Sequence, residues 1–167
     1  MIFSFRTVER NDSARVAKWK NDPYVQHMAL NPGSEITLIS QEEDIENYLL
    51  TKEGDYQIIC CDGEAIGYVR IDWIDSEKRV AWLRFVLGEQ RGKGFGTAAL
   101  MQYCEQLMVE GCQRVEGEVY CINIASQRML EKVGFKKEGI KRKAHFTGSE
   151  YVDIYVYGLI REDWFDK

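Results

Sequence analysis

The chain has 167 residues, the usual size of one domain. Apolar residues make up 45% and charged residues 29%, as in globular proteins, which excludes disordered and fibrous classes. The 22 Lys and Arg against 27 Asp and Glu leave a net charge of −5, which argues against a nucleic-acid partner and suits a neutral or cationic small substrate. No apolar run approaches the roughly 18 residues of a membrane span, so no membrane partner is expected. The opening MIFSFRTVERND reads as a strand rather than a secretory leader. Five cysteines (Cys60, Cys61, Cys104, Cys112, Cys121) are odd in number and lack C-x-x-C spacing. They predict reduced thiols in a cytoplasmic setting, with no metal and no disulfide framework.

IFSFRTV alternates as a first strand, and Asn11-Asp12-Ser13 offers capping chemistry for a short helix to about Lys20. Pro23 opens a second helical piece, and Asn31-Pro32-Gly33-Ser34 reads as a loop. SQEEDIENYLL predicts a helix capped by Ser40, with Glu43 at the capping-box position. Strands at 56–61, 65–74 and 80–87 follow, joined by hairpin turns at Asp62-Gly63 and at 75–78. Helical spacing of Ala99, Leu100, Tyr103, Cys104, Leu107 and Met108 predicts a helix over 97–111, closed by Gly111. A strand at 115–121 and a helix ending at Gly134 come next. A strand at 135–138, a polar loop at 139–150 and a strand at 151–160 complete the pattern. This order predicts one α+β domain: a mixed, mostly antiparallel sheet of about seven strands, flanked by about four helices.

The most informative stretch is FVLGEQRGKGFGTAAL, residues 85–100. A buried strand runs into Arg91-Gly92-Lys93-Gly94-Phe95-Gly96, and an amphipathic helix follows at once. Alternate glycines let backbone N–H groups turn to one side, and the helix N-terminus adds unpaired donors and a positive dipole end. The pattern is a pyrophosphate cradle, with Arg91 and Lys93 at its lip. A dinucleotide loop needs G-x-G-x-x-G, whereas these glycines read G-x-G-x-G. A P-loop needs G-x-x-x-x-G-K-[ST]; Gly88 to Gly92 is one residue short, and Gly94 occupies the hydroxyl position. A Gly-rich turn without a ligand is the bland alternative.

Arg91-x-x-Gly94-x-Gly96, after a strand and opening a helix, resembles the acyl-CoA signature of the GNAT N-acetyltransferase superfamily. A second block, Asn123-x-x-Ser126, then Glu131-Lys132, Gly134-Phe135 and Glu138-Gly139, is similar to the RimJ/RimL-type branch. The front end Trp19-Lys20-Asn21-Asp22-Pro23 and the tail from Gly148 to Trp164 resemble that branch as well. The resemblance spans nearly all of residues 2–164. It implies a single acetyl-CoA-dependent N-acetyltransferase domain over 1–167, with a central sheet splayed where strands 80–87 and 115–121 part. It implies that the backbone at Phe85, Val86 and Leu87 pairs with the pantetheine arm. It further implies that Arg91, Gly92, Lys93, Gly94, Phe95, Gly96 and Thr97 hold the pyrophosphate, with Asn123 and Ser126 on the far side of the slot.

Acetyl transfer to an amine needs a neutral amine, a donor facing the thioester oxygen, and a proton for the departing sulfur. The tyrosine that many of these enzymes use as acid is replaced here by Leu130, so Ser126 is the candidate acid, its alternative being a helix cap. A glutamate common in the fourth strand is replaced by Trp82. In VEGEVYC, Glu116, Glu118 and Tyr120 share a face, and Glu118, nearer the slot, is the candidate base through water. An exposed carboxylate ladder is the alternative. His145 is expected on the surface, and Cys121 as packing. Asp153, among Tyr151, Tyr155 and Tyr157, either holds a cationic amine or satisfies a neighbour. The acidic run Glu42, Glu43, Asp44 and Glu46 reads as a solvated helix face or a lure for amines.

The acceptor implied is a small-molecule primary amine, such as a nucleotide-linked amino sugar, a polyamine or an aminoglycoside. A protein N-terminus and a non-catalytic acyl-CoA sensor stay open, and a homodimer is compatible with either.

Overall fold

The computed structural model describes residues 1–166. In chain order they form β1 (Phe3–Thr7), a 3-10 turn (Arg10–Asp12), α1 (Ser13–Lys20), α2 (Pro23–Ala29) and α3 (Leu38–Thr51). Then come β2 (Asp55–Cys61), β3 (Glu64–Trp73), β4 (Val80–Leu87), α4 (Phe95–Val109) and β5 (Arg114–Tyr120). The chain continues through α5 (Ile124–Val133), β6 (Lys136–Phe146), β7 (Tyr151–Ile160) and α6 (Arg161–Phe165). The strands make one sheet in the order β1-β2-β3-β4-β5-β7-β6. All neighbours are antiparallel except β4 and β5, which are parallel. The expected α+β sheet is present, with six helices rather than about four.

Both faces of the sheet are covered, so β2 is apolar on both sides. Its Tyr56, Ile58 and Cys60 join Val16, Trp19, Ile45 and Tyr48 of α1 and α3. Its Ile59 and Cys61 pack with the opposite face and the Ala99, Leu100, Tyr103, Cys104, Leu107 and Met108 stripe of α4. That stripe recurs at one helical face, and each fully buried large side chain contributes about 1.5–3 kcal/mol. The α4 C-terminus closes with Gly111 at φ 108°, where Gly111 N bonds Met108 O and Cys112 N bonds Leu107 O.

Three boundaries differ from the sequence reading. The α3 helix starts earlier because Thr37, not Ser40, is its cap: Thr37 Oγ1 accepts from Ser40 N at 3.1 Å. Asn21 fixes the entry, donating to Ile36 O and accepting from Ile36 N, each at 2.8 Å. The predicted loop 139–150 shrinks to 147–150, because β6 runs eleven residues. As an edge strand mostly exposed on both faces, with register shifts at Lys137/Gly139 and Lys141/His145, it has no apolar alternation to read. The five-residue α6 was missed for the same lack of period.

Two local contacts place the front end against the sheet. Asp12, buried, takes a two-pronged contact from Arg6 at 2.7 and 2.8 Å and accepts from Glu9 N at 2.9 Å. Burial pushes its carboxyl up, but Arg6 and the Glu9 N–H outweigh that and hold it below the ordinary range. Trp19 lies flat against Gly88, where an added Cβ would come 2.0 Å from its Cδ1, and its Nε1 donates to Glu89 at 3.1 Å.

Gly88→Ala is therefore expected to lower stability by about 2 kcal/mol, roughly 5 °C in Tm, since Trp19 is held by its own hydrogen bond. Calorimetry measures this. Because the Asp12 carboxyl is depressed, its contribution is present above the ordinary carboxylate pKa of about 4 and lost as pH falls below it. Denaturant titrations of Asp12→Asn should accordingly show a flatter fall in stability over that acid range than the parent chain.

Candidate active site

The site begins where β4 and β5 part. They pair only at Val80↔Arg114, Ala81↔Val115 and Trp82↔Glu116. On its other edge, β4 bonds to β3 through even-numbered residues, as in Ile74 N to Val80 O and Gly88 N to Ile66 O. Alternation therefore turns the backbone N–H and C=O groups of Phe85 and Leu87 into the gap, beyond the last β4–β5 pair and without a strand partner. Val86 differs from the sequence expectation: its backbone belongs to β3, and only its side chain borders the gap.

The mouth of the gap is held by α2. Tyr120 O–H donates to Leu30 O at 3.3 Å and Asn123 Nδ2 to Met28 O at 3.1 Å. Two hollows meet there, sharing Phe85, Asn123 and Ser126 in their walls. One is a cleft of about 620 Å³ that runs along Leu87 and the glycine loop, with Thr97, Arg128 and Lys132 at its edges. The other, about 260 Å³, reaches the α1–α3 face between Tyr68, Trp82, Arg84, Glu118 and Tyr120.

At the cleft's far end, Gly92 and Gly94 adopt φ of +80° and +79°, a region that other side chains rarely enter. Gly94 caps α4 with no side chain, and the first bond back to it comes from Ala98 N. The N–H groups of Phe95, Gly96 and Thr97 are left unpaired within the helix, and the first turn has no acid. Gly96 is needed for closeness: a Cβ there would meet Met129 Sδ at 3.0 Å and Leu87 Cδ1 at 3.1 Å. This is an anion cradle that opens into a narrow cleft, and a pyrophosphate with a thin extended arm fits it. Of its two cations, Lys93 donates to Gln90 at 2.6 Å. Arg91 lies over the Tyr24 ring, 5.0 Å away, and binds Asp22 at 3.0 and 3.3 Å.

At the junction, Asn123 caps α5 by accepting from Ser126 N at 3.0 Å. Ser126 thus supplies a donor to the cap instead of being the cap, and its hydroxyl has no protein partner among the described residues. Glu118 borders the smaller hollow and is ion-paired with Lys141. Its neighbour Tyr120 stacks on His145, with centroids 3.7 Å apart and planes at 9°. His145 is therefore not on the surface but buried in β6, and burial followed by His27 depresses its pKa. Asp153 satisfies a neighbour, accepting from Lys143 N at 2.8 Å on the β6 bulge. Leu130 and Cys121 are packing residues, buried and half-buried respectively.

The sequence reading missed Lys20, Tyr68, Arg70 and Arg84 beside the smaller hollow. The available signal was the presence of Arg70, Asp72 and Arg84 in otherwise apolar strands. Asp44, read as part of a solvated acidic face, is drawn inward to Arg70 at 2.8 Å. Among the described residues, no group of three or more His, Cys, Asp or Glu gathers as a metal site, and no helix is long and apolar enough to cross a membrane.

The family model described as an acetyltransferase (GNAT) domain matches residues 3–136. A curated relative, the uncharacterized N-acetyltransferase p20 of Bacillus licheniformis, is 26% identical over 96% of this chain and 94% of its own length. The fold is similar to that of spermidine N-acetyltransferase from Vibrio cholerae in complex with CoA and spermine. That match has a TM-score of 0.87 and 17% identity, over 97% of each chain. The ribosomal L7/L12 α-N-protein acetyltransferase RimL, in complex with coenzyme A, superposes with a TM-score of 0.83 at 18% identity, over 95% of this chain and 93% of that one. At these identities the structural likeness is one of fold.

The capping arrangement separates two adjacent side chains. Asn123→Ala should lower stability by about 1–2 kcal/mol, through loss of the cap and of the tie to α2. Ser126→Ala should stay within about 0.5 kcal/mol, since only its backbone is used. Urea denaturation of both variants measures the contrast.

Proposed function

The chain belongs to the GNAT acetyltransferase family, and from that premise we propose that it transfers an acetyl group from acetyl-CoA to a primary amine of a small molecule. The carrying observation is the continuity between two sets of unpaired backbone donors. Those of Phe85 and Leu87 in the strand gap lead along one cleft to those of Phe95, Gly96 and Thr97 at the start of α4. In this reading residues 1–167 form a single catalytic domain, and the acceptor enters through the smaller hollow. The five free cysteines support a reducing, cytoplasmic setting.

Each residue then has a task. Phe85 and Leu87 receive the pantetheine arm as a further strand. The 91–97 loop (Arg91, Gly92, Lys93, Gly94, Phe95, Gly96, Thr97) receives the pyrophosphate, for which Arg91 exchanges Asp22 for phosphate oxygens. Asn123 sets the start of α5 and the wall of the slot. Acetyl-CoA supplies an activated thioester; a gap-facing N–H of β4 donates to its carbonyl oxygen.

An alkylammonium has a pKa of about 10.4, so at neutral pH only about one molecule in 2,500 is a free amine. Glu118, ion-paired with Lys141, takes the surplus proton through water. As the nitrogen–carbon bond forms and the carbon–sulfur bond breaks, Ser126 O–H delivers its proton to the departing sulfur and regains one, through water, from the nitrogen, so the hydroxyl is restored and amide and thiol are released. Its unpaired hydroxyl in the wall shared by both hollows supports this role.

The test is mass-spectrometric detection of acetylated product from a pool of polyamines, aminoglycosides, nucleotide-linked amino sugars and N-terminal peptides. Ser126→Ala should lower kcat at least about tenfold with CoA affinity unchanged by calorimetry. Leu87→Pro removes a gap-facing N–H and should abolish CoA binding. Unchanged turnover in Ser126→Ala sinks the acid assignment, and CoA binding with no product from any amine sinks the transferase reading.

A further inference from the structure

The smaller hollow has an unusual electrostatic floor. Across β3 and β4, Arg70 lies opposite Arg84 and Asp72 opposite Trp82, and α1 brings Lys20 and α3 brings Asp44 onto the same face. Arg70 binds Asp44 at 2.8 and 3.1 Å, and Lys20 reaches the same carboxylate at 3.7 Å. Asp72 is shared by Arg84, in close contact, and Arg70 at 3.9 Å. Three cations thus face two carboxylates, and one positive charge is left over.

The surplus sits where solvent is scarce. Lys20 and Arg70 are only 16% and 18% exposed, Lys20 over the buried Tyr68 ring and Arg70 over the buried Tyr56 ring. Burial lowers the Lys20 pKa; Asp44 opposes that, while Arg70 and Arg84 lower it further. Burial and then Arg70 hold Arg84 below its ordinary value as well. Burial is the larger cause for both groups, and the repulsion among the cations adds to it. Arg84, at 51% exposure, is the member that borders the hollow and is open to a ligand.

The opposite wall is complementary. The last β4–β5 pair is Trp82↔Glu116, so two residues on, Arg84 and Glu118 stand across the opened slot from each other. They do not neutralise each other, because Arg84 is held to Asp72 and Glu118 to Lys141. Resting on the transferase reading above, we propose that the acceptor is a small amine that also carries an anionic group, its amine facing Glu118 and its carboxylate or phosphate received by Arg84. A guanidinium presents paired donors that match either anion. A polyamine, cationic along its length, would meet the surplus positive charge without a partner. The hollow's modest volume of about 260 Å³ favours an acceptor of amino-acid or amino-sugar size.

The experiment compares amines in pairs that differ only in the anion, with spermidine as a cationic reference. The pairs are an α-amino acid with its carboxamide, and an amino-sugar phosphate with the free amino sugar. Acetylation is followed by mass spectrometry, and binding to the CoA-loaded protein by calorimetry. In at least one pair, the anionic member should exceed its neutral partner about tenfold in kcat/KM, mainly through KM, and should bind where spermidine does not. The pair that responds identifies carboxylate or phosphate as the anion. Arg84→Gln should erase the difference, and Arg84→Lys should restore part of it, with CoA affinity unchanged in both.

Spermidine or the neutral partners acetylated as well as the anionic ones would overturn the proposal and leave the transferase reading standing. A preference for anions that survives Arg84→Gln would overturn the assignment to Arg84. CoA bound with no amine acetylated would remove the transferase reading and this proposal with it.

Discussion

Everything at the site depends on β4 and β5 separating after three residue pairs. Parallel strands that stayed together would use every backbone donor on each other, and neither hollow would exist. Separation leaves the donors of Phe85 and Leu87 turned into an open slot, where an extended chain can pair with them as a strand would. The α2 end covers it from above through Tyr120 and Asn123, and α5 begins immediately beyond, capped by the same Asn123. One side chain thereby sets the width of the slot, the start of a helix and the position of Ser126.

The short segment Trp19-Lys20-Asn21-Asp22-Pro23 ties this slot to the rest of the molecule, and its residues act on several different elements. Trp19 packs on Gly88 at the exit of β4, and Lys20 enters the charge cluster. Asn21 clamps the segment before α3. Asp22 caps α2 by accepting from Tyr24 and Val25 while binding Arg91, and Pro23 opens that helix with no N–H to satisfy. The helices α1–α3 and the glycine loop are thus mechanically linked through a handful of polar contacts. Arg91, bound to Asp22 and lying over Tyr24, is the tie between α2 and the glycine loop.

Net charge illustrates why composition stops short of the site. The chain as a whole is at −5, and that figure pointed toward neutral or cationic acceptors. The field in a hollow is set by the few charges along its walls, where water is thin and pairing is incomplete. Here those charges are Lys20, Arg70 and Arg84 against Asp44 and Asp72. The five come from four elements, so their sum exists only after α1, α3, β3 and β4 are packed.

Legibility in the sequence followed periodicity and backbone chemistry. The α4 stripe, the buried strands, the glycine closures at Gly111 and Gly134 and the cradle at 91–97 were readable, because each depends on residues close together in the chain. The same was true of the Asn123-x-x-Ser126 pairing, although which of the two residues served as the cap was not. Edge strand β6 escaped because exposed residues carry no alternation. His145 was misplaced because its burial against Tyr120 depends on β6 and β5 lying on either side of β7. Thus the amino-acid sequence by itself determined the elements, their order and the glycine loop at 91–97, all products of local conformational preference and short-range pattern. Only the tertiary structure decided how far β4 and β5 part, which carboxylates are neutralised, and that Arg84 faces Glu118. Those depend on register and on packing between distant segments, which no local pattern encodes.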